Sequence, residues 1–112
     1  MAVTLTIDGV AATGYNLPDY VAGTTFPGLA FAGFTFNGST VITGAKIEMN
    51  VGGNILSTET GEIAITDGVY GNFQIIKQKF AFPVRRYIYR LTITFANGDV
   101  KVILEGIWNV TE

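Results

Sequence analysis

Arg86-Tyr87-Ile88-Tyr89-Arg90-Leu91-Thr92-Ile93-Thr94-Phe95, then Ala96-Asn97-Gly98-Asp99, then Val100-Lys101-Val102-Ile103-Leu104-Glu105-Gly106-Ile107-Trp108-Asn109-Val110: this stretch decides the fold. Two apolar-polar alternating runs flank an Asn-Gly pair, the pattern of two long strands joined by a two-residue type I′ turn. Setting Ala96 opposite Asp99 pairs Phe95 with Val100, Ile93 with Val102, Leu91 with Leu104, Tyr89 with Gly106 and Tyr87 with Trp108. That face is almost wholly apolar. The other face pairs Thr94 with Lys101, Thr92 with Ile103, Arg90 with Glu105 and Ile88 with Ile107. The Arg90 and Glu105 pair contributes only roughly 0.2–1 kcal/mol. It identifies the register, because a slip of one residue would separate the two charges and scatter the apolar face. Tyr89 opposite Gly106 fits as well, since a ring can cover the gap that a strand glycine leaves. The hairpin is therefore read as the centre of a β-sandwich, with Tyr87, Tyr89 and Trp108 in its core.

Outward from the hairpin, the chain reads as strands and turns. Val3, Leu5 and Ile7 alternate with Thr4 and Thr6 until Asp8-Gly9. From Val10 to Pro27 neither period appears, and Gly14, Pro18, Gly23 and Pro27 punctuate the run. An irregular stretch of this length inside a small domain is uncommon, so residues 1–27 are expected to form an N-terminal strand followed by an arm or loop, and residues 28–112 the sandwich body. Leu29, Phe31, Phe34 and Phe36 form a strand with a bulge at Gly33, and Asn37-Gly38 turns the chain. Lys46 to Val51 alternates cleanly, Gly52-Gly53 closes a hairpin, and Ile63, Ile65, Phe73 and Ile75 lie on two further strands. No helical period is present. About seven to eight strands with turn signals between them predict an all-β sandwich in a single domain.

Composition narrows the function. Within 112 residues there is neither Cys nor His, which removes disulfides, thiolate and imidazole catalysis and the commonest metal ligands. A net charge of −2 with 14% charged residues provides no basic footprint for nucleic acid. No segment has the length and apolarity of a membrane span or the form of a signal peptide, so synthesis in a cytoplasm is expected. The carboxylates fall mostly in turns or on outward strand positions; spacing alone does not exclude Glu59 with Glu62 as an acid-base pair, but their turn placement disfavours it. Gly44-Ala45-Lys46 lacks the spacing of a phosphate loop and Asp67-Gly68 the ligands of a calcium loop. The reading is a non-enzymatic protein without cofactor or metal. Mean hydropathy of +0.37 with so few charges points either to apolar surface that meets a partner or to a β-protein rich in Thr, Gly and Asn that needs fewer charges. Tyr15, Tyr20 and Phe26 in the arm, and Phe82, Arg85 and Arg86 in the connector before the hairpin, are the candidate partner-binding residues. Tyr15, Tyr20 and Tyr70 are the rings expected to be exposed.

The segments Thr25-Phe26-Pro27-Gly28, Thr43-Gly44-Ala45-Lys46-Ile47-Glu48-Met49, Gly61-Glu62-Ile63-Ala64-Ile65, Gly71-Asn72-Phe73, Tyr87 to Ile93 and Gly98 to Val110, in that order, resemble a family of small phage modules. They are similar to the N-terminal domain of phage upper baseplate proteins and to relatives of about this length in phages and prophages. The resemblance covers roughly Thr25 to Thr111 and closes on Leu104-x-Gly106-x-Trp108-x-Val110. It implies an immunoglobulin-like antiparallel sandwich that occupies a structural place in the virion, in several copies, as an adaptor or decoration holding other virion proteins. The chain stops at Glu112, where the upper baseplate proteins continue into a coiled coil and a receptor-binding region. Where the family often reads Leu-Pro-Ala-Gly-x-Tyr, this chain has Phe82-Pro83-Val84-Arg85-Arg86-Tyr87, which predicts a different turn or contact there. The alternative is a carbohydrate-binding or host-adhesion module, with sugars stacking on the exposed tyrosines.

Overall fold

The computed structural model describes residues 3–6 (backbone only), 16–32, 39 and 41–112. Among the described residues the strands are β1 (Val3–Thr6), β2 (Tyr20–Val21), β3 (Thr25–Phe26), β4 (Leu29–Ala32), β5 (Lys46–Val51), β6 (Asn54–Ser57), β7 (Ile63–Asp67), β8 (Asn72–Ile75), β9 (Gln78–Lys79), β10 (Arg85–Thr94) and β11 (Val100–Thr111), with no helix. They form a four-stranded sheet in the order β1-β4-β8-β7, a five-stranded sheet in the order β2-β11-β10-β5-β6, and the small pair β3-β9. Residues of both larger sheets share one hydrophobic core, an all-β arrangement compatible with a sandwich. These are eleven strands among the described residues, three of them two-residue pieces, where seven to eight were expected. Two pairings depart from a purely antiparallel plan, since β1 runs parallel to β4 and β2 parallel to β11. Ile7, Phe34, Phe36, the expected bulge at Gly33, the Asn37-Gly38 turn and Tyr15 lie outside the described residues.

The central hairpin has the predicted register in the half distant from its turn. Tyr87 pairs with Trp108, Tyr89 with Gly106, Arg90 with Glu105 and Leu91 with Leu104. Nearer the turn the register shifts by one, so that Thr92 faces Val102 and Thr94 faces Val100. The turn explains the shift. The Phe95 N–H donates to the Asp99 carbonyl at 2.7 Å and the Gly98 N–H to the Phe95 carbonyl at 2.9 Å, leaving Ala96, Asn97 and Gly98 as a three-residue loop. Gly98 takes the positive-φ position at φ 96°, as the three-residue hairpin with a glycine bulge requires. The expected two-residue turn is thus corrected, and the extra register step is absorbed by a bulge at Ile103. Ile103 and Leu104 in succession are both buried, whereas Val100 is 63% exposed.

β5 lies on the other side of β10, with Val51 opposite Tyr89, Met49 opposite Leu91 and Ile47 opposite Ile93, all of them buried. Its hairpin with β6 closes through Gly52 and Gly53 at φ 57° and 97°, the two left-handed positions of the predicted tight turn. Across the core, Leu29 and Phe31 of β4, Ile63 of β7 and Phe73 and Ile75 of β8 are buried. Phe31 and Phe73 are cross-strand partners whose rings stack with centroids 4.8 Å apart.

Of the expected arm or loop, the described part is a loop packed on the sandwich. Residues 16–27 are strapped to the sandwich. The Leu17 N–H donates to the Ile107 carbonyl at 3.0 Å and the Ala22 N–H to the Thr111 carbonyl at 2.8 Å. Leu17, Tyr20 and Phe26 enter the core.

Candidate partner-contact surfaces

Six rings pack together at one end of the molecule, Tyr20 and Phe26 from the strap, Phe80 and Phe82 from the connector before β10, and Tyr87 and Trp108 from the central hairpin. Trp108, on β11, donates its indole N–H to the Pro18 carbonyl at 2.9 Å. The Tyr20 hydroxyl donates to the Thr24 carbonyl at 2.6 Å and accepts the Phe80 N–H at 3.1 Å. Phe26 packs against Phe80 and Trp108 at centroid distances of 5.4 and 5.5 Å. Phe82 stacks on Phe80 at 4.8 Å and meets Trp108 edge-on at 5.8 Å. Tyr87 closes the group, with its hydroxyl donating to the Pro83 carbonyl at 2.9 Å.

Three of the candidate contact residues are corrected by this geometry. Tyr20 is 2% exposed, and Phe26 and Phe82 are likewise buried; each ring is held by its neighbours inside the protein and presents no face to a partner. Irregular backbone conceals such burial, because proline- and glycine-rich segments have no period from which an inward face can be read. The one available signal was Trp108 itself, a core indole whose N–H needed an acceptor from outside its own hairpin. Tyr70, read as exposed, is 65% exposed, while Tyr87, Tyr89 and Trp108 are buried as the core reading required.

Arg85 and Arg86 remain at the surface, on the first two positions of β10. They face Val110 and Asn109, and with Val84, Thr111 and Glu112 they border an open concavity of about 430 Å³. The Arg85 guanidinium carbon lies 5.3 Å from the Tyr87 ring centroid, a cation–π distance that orients the side chain. These two residues are the part of the expected contact set that the structure brings together on the outside.

The carboxylates have local partners. Glu59 and Glu48 flank the Lys46 ammonium at 3.0 and 3.1 Å, and bonding to Glu59, then to Glu48, holds Lys46 above the usual lysine range. Glu62 accepts the Thr60 hydroxyl and, at 3.2 Å, the Ser57 N–H; the Thr60 bond chiefly holds its carboxyl below the usual range against the opposing effect of burial, with a lesser contribution from Ser57. Arg90 bonds Glu105 through two nitrogens, at 3.0 and 3.3 Å. Glu59 and Glu62 are therefore engaged separately, one by a lysine and the other by a turn. Among the described residues, no three His, Cys, Asp or Glu side chains gather as metal ligands, and no buried side-chain nitrogen or oxygen lacks a hydrogen-bond partner.

No family model, curated protein or solved structure matches the chain.

Proposed function

We propose that the protein is a non-enzymatic structural component of a phage particle, an adaptor or decoration module with an immunoglobulin-like body that attaches to other virion proteins. The observation that carries the reading is the ordered resemblance to the upper baseplate module from Thr25 to Thr111. Several features support the immunoglobulin-like part. The neighbours β6-β5-β10-β11 follow the order C′-C-F-G, and β4-β8-β7 the order B-E-D. Tyr87 stands near the start of the strand equivalent to F, and its hydroxyl returns to a carbonyl four residues upstream, the geometry of a tyrosine corner. Two departures go with it: β1 runs parallel to β4, and the tryptophan lies on the last strand instead of the third.

The attachment role is supported by a chain in which only 14% of residues are charged. On a symmetric particle many weak contacts add through effective concentration, and the exposed Arg85 and Arg86 are the residues assigned to such a contact. Mass spectrometry of purified particles tests the reading. The protein should be found in many copies per particle, and changing Arg85→Glu together with Arg86→Glu should lower its occupancy while thermal unfolding stays unchanged. Particles without the protein, from cells that hold it abundantly in free form, would overturn the proposal.

A further inference from the structure

We infer that the segment from Lys77 to Arg86 is a docking strip for an extended acidic segment of a partner protein. The inference rests on the attachment reading, since it names the chemistry that Arg85 and Arg86 meet, yet it is tested on the isolated protein so that the two can fail separately.

Charge carries its first part. The segment holds Lys77, Lys79, Arg85 and Arg86, four of the seven basic residues of the chain, and no carboxylate. Three basic and nine acidic residues lie outside it, so a stretch of +4 adjoins a remainder of −6. All four side chains are exposed. Lys46 and Arg90 are neutralised by ion pairs within the chain, whereas among the described residues no carboxylate pairs with any of these four. Unpaired cations on a fixed frame attract the opposite charge. The frame is fixed because Phe80 and Phe82 are buried, the Phe80 N–H is bonded to the Tyr20 hydroxyl, and the Pro83 carbonyl accepts the Tyr87 hydroxyl.

The main chain supplies the second part. Between β9 and β10 the backbone from Ala81 to Val84 belongs to no strand. Ala81 and Val84 are exposed, and among the described residues nothing accepts a hydrogen bond from their N–H groups. Such donors are what an added extended chain pairs with, while its side chains reach the pockets beside them. The pocket here is the open concavity of about 430 Å³ that Val84, Arg85 and Arg86 border. Arg85, oriented over the Tyr87 ring, offers it a guanidinium fork that can grip a carboxylate through two N–H donors. Nucleic acid fits this strip less well. It has no peptide main chain to offer Ala81 and Val84, and its phosphates would meet the −6 of the remainder.

Fluorescence anisotropy of a labelled oligoglutamate peptide, titrated with the full chain at low salt, tests the inference. Saturable binding is expected, and it should weaken as salt rises. Arg85→Glu with Arg86→Glu should weaken it by about tenfold or more, and Lys77→Gln with Lys79→Gln to a smaller degree, with cooperative unfolding kept in both. Glu112→Gln, which removes a negative charge from the rim of the concavity, should bind more tightly. Absence of binding, equal binding of oligoglutamine, undiminished binding by either folded double variant, or tighter binding of a single-stranded oligothymidylate of the same charge would overturn the inference. Particles that lose the Arg85→Glu, Arg86→Glu protein although the wild type binds no acidic peptide would sink this inference and leave the attachment reading standing. Peptide binding by a chain that never enters particles would do the reverse.

Discussion

A methyl group on Gly52 would stand 2.5 Å from Cδ1 of Tyr87, on a backbone already at φ 57°. Gly53 has φ 97° and open space around its Cβ direction. Both substitutions to alanine meet the left-handed penalty of roughly 1–2 kcal/mol, but at position 52 the ring must also move, which adds about 1–3 kcal/mol. Urea unfolding should therefore find Gly52→Ala clearly less stable than Gly53→Ala, and equal midpoints would show that Tyr87 is not fixed by its bond to Pro83. Glu62 provides a pH test at the same scale. Its folded pKa lies below the ordinary 4.5, so its bonds to Thr60 and Ser57 add stability above the unfolded pKa and lose it as pH falls through the folded one. Glu62→Gln should lower the melting temperature at neutral pH, and the gap should close well below pH 4.5. Residue types alone made part of the surface legible. Arg85 and Arg86 have long charged side chains that seldom bury. Tyr20, Phe26 and Phe82 are amphipathic or apolar rings in irregular segments, where only the fold reveals which way they face.

At the scale of the element, the hairpin was readable and its flaw was not. Alternation, the Arg90 and Glu105 pair and Tyr89 over Gly106 fixed five cross-strand pairs, because each depends on side chains directly opposite one another. The Asn-Gly signal located the turn but not its length: Asn-Gly serves a two-residue loop, and here the same pair ends a three-residue loop with Gly98 alone in the glycine position. The chain then needs one extra residue to return its apolar side inward, and Ile103 supplies it. This inverts the strict-alternation expectation for two neighbours. Ile103→Ala should cost about 2–5 kcal/mol, the range for a buried isoleucine, and Val102→Ala much less, because Val102 is only half-buried opposite Thr92. Paired denaturation curves check this, and a larger loss at Val102 would mean that no bulge forms. Elsewhere a glycine pair with positive φ marked its turn in advance, as at Gly52-Gly53. The parallel pairings of β1 with β4 and of β2 with β11 were not legible, since period two carries no information about strand direction.

For the whole molecule, the strap decides whether residues before Thr24 can be treated as separable. Cutting them away removes Leu17 and Tyr20 from the core, each worth about 1.5–3 kcal/mol of burial. It also removes the acceptor of the Trp108 indole N–H and the hydroxyl that satisfies the Phe80 N–H, and a buried donor left alone costs about 1–3 kcal/mol. The losses together rival the 5–15 kcal/mol that keeps a typical domain folded. A chain beginning at Thr24 should therefore lose its cooperative thermal transition, and Trp108 emission should shift to the red as water reaches the ring. A sharp transition with unshifted emission would show that the sandwich closes its aromatic end without the strap, and would reopen the N-terminal segment as a detachable arm. The expected outcome instead makes that segment part of the folding unit. Any attachment through it must then use the outer side of a strap whose inner side is already committed to Trp108.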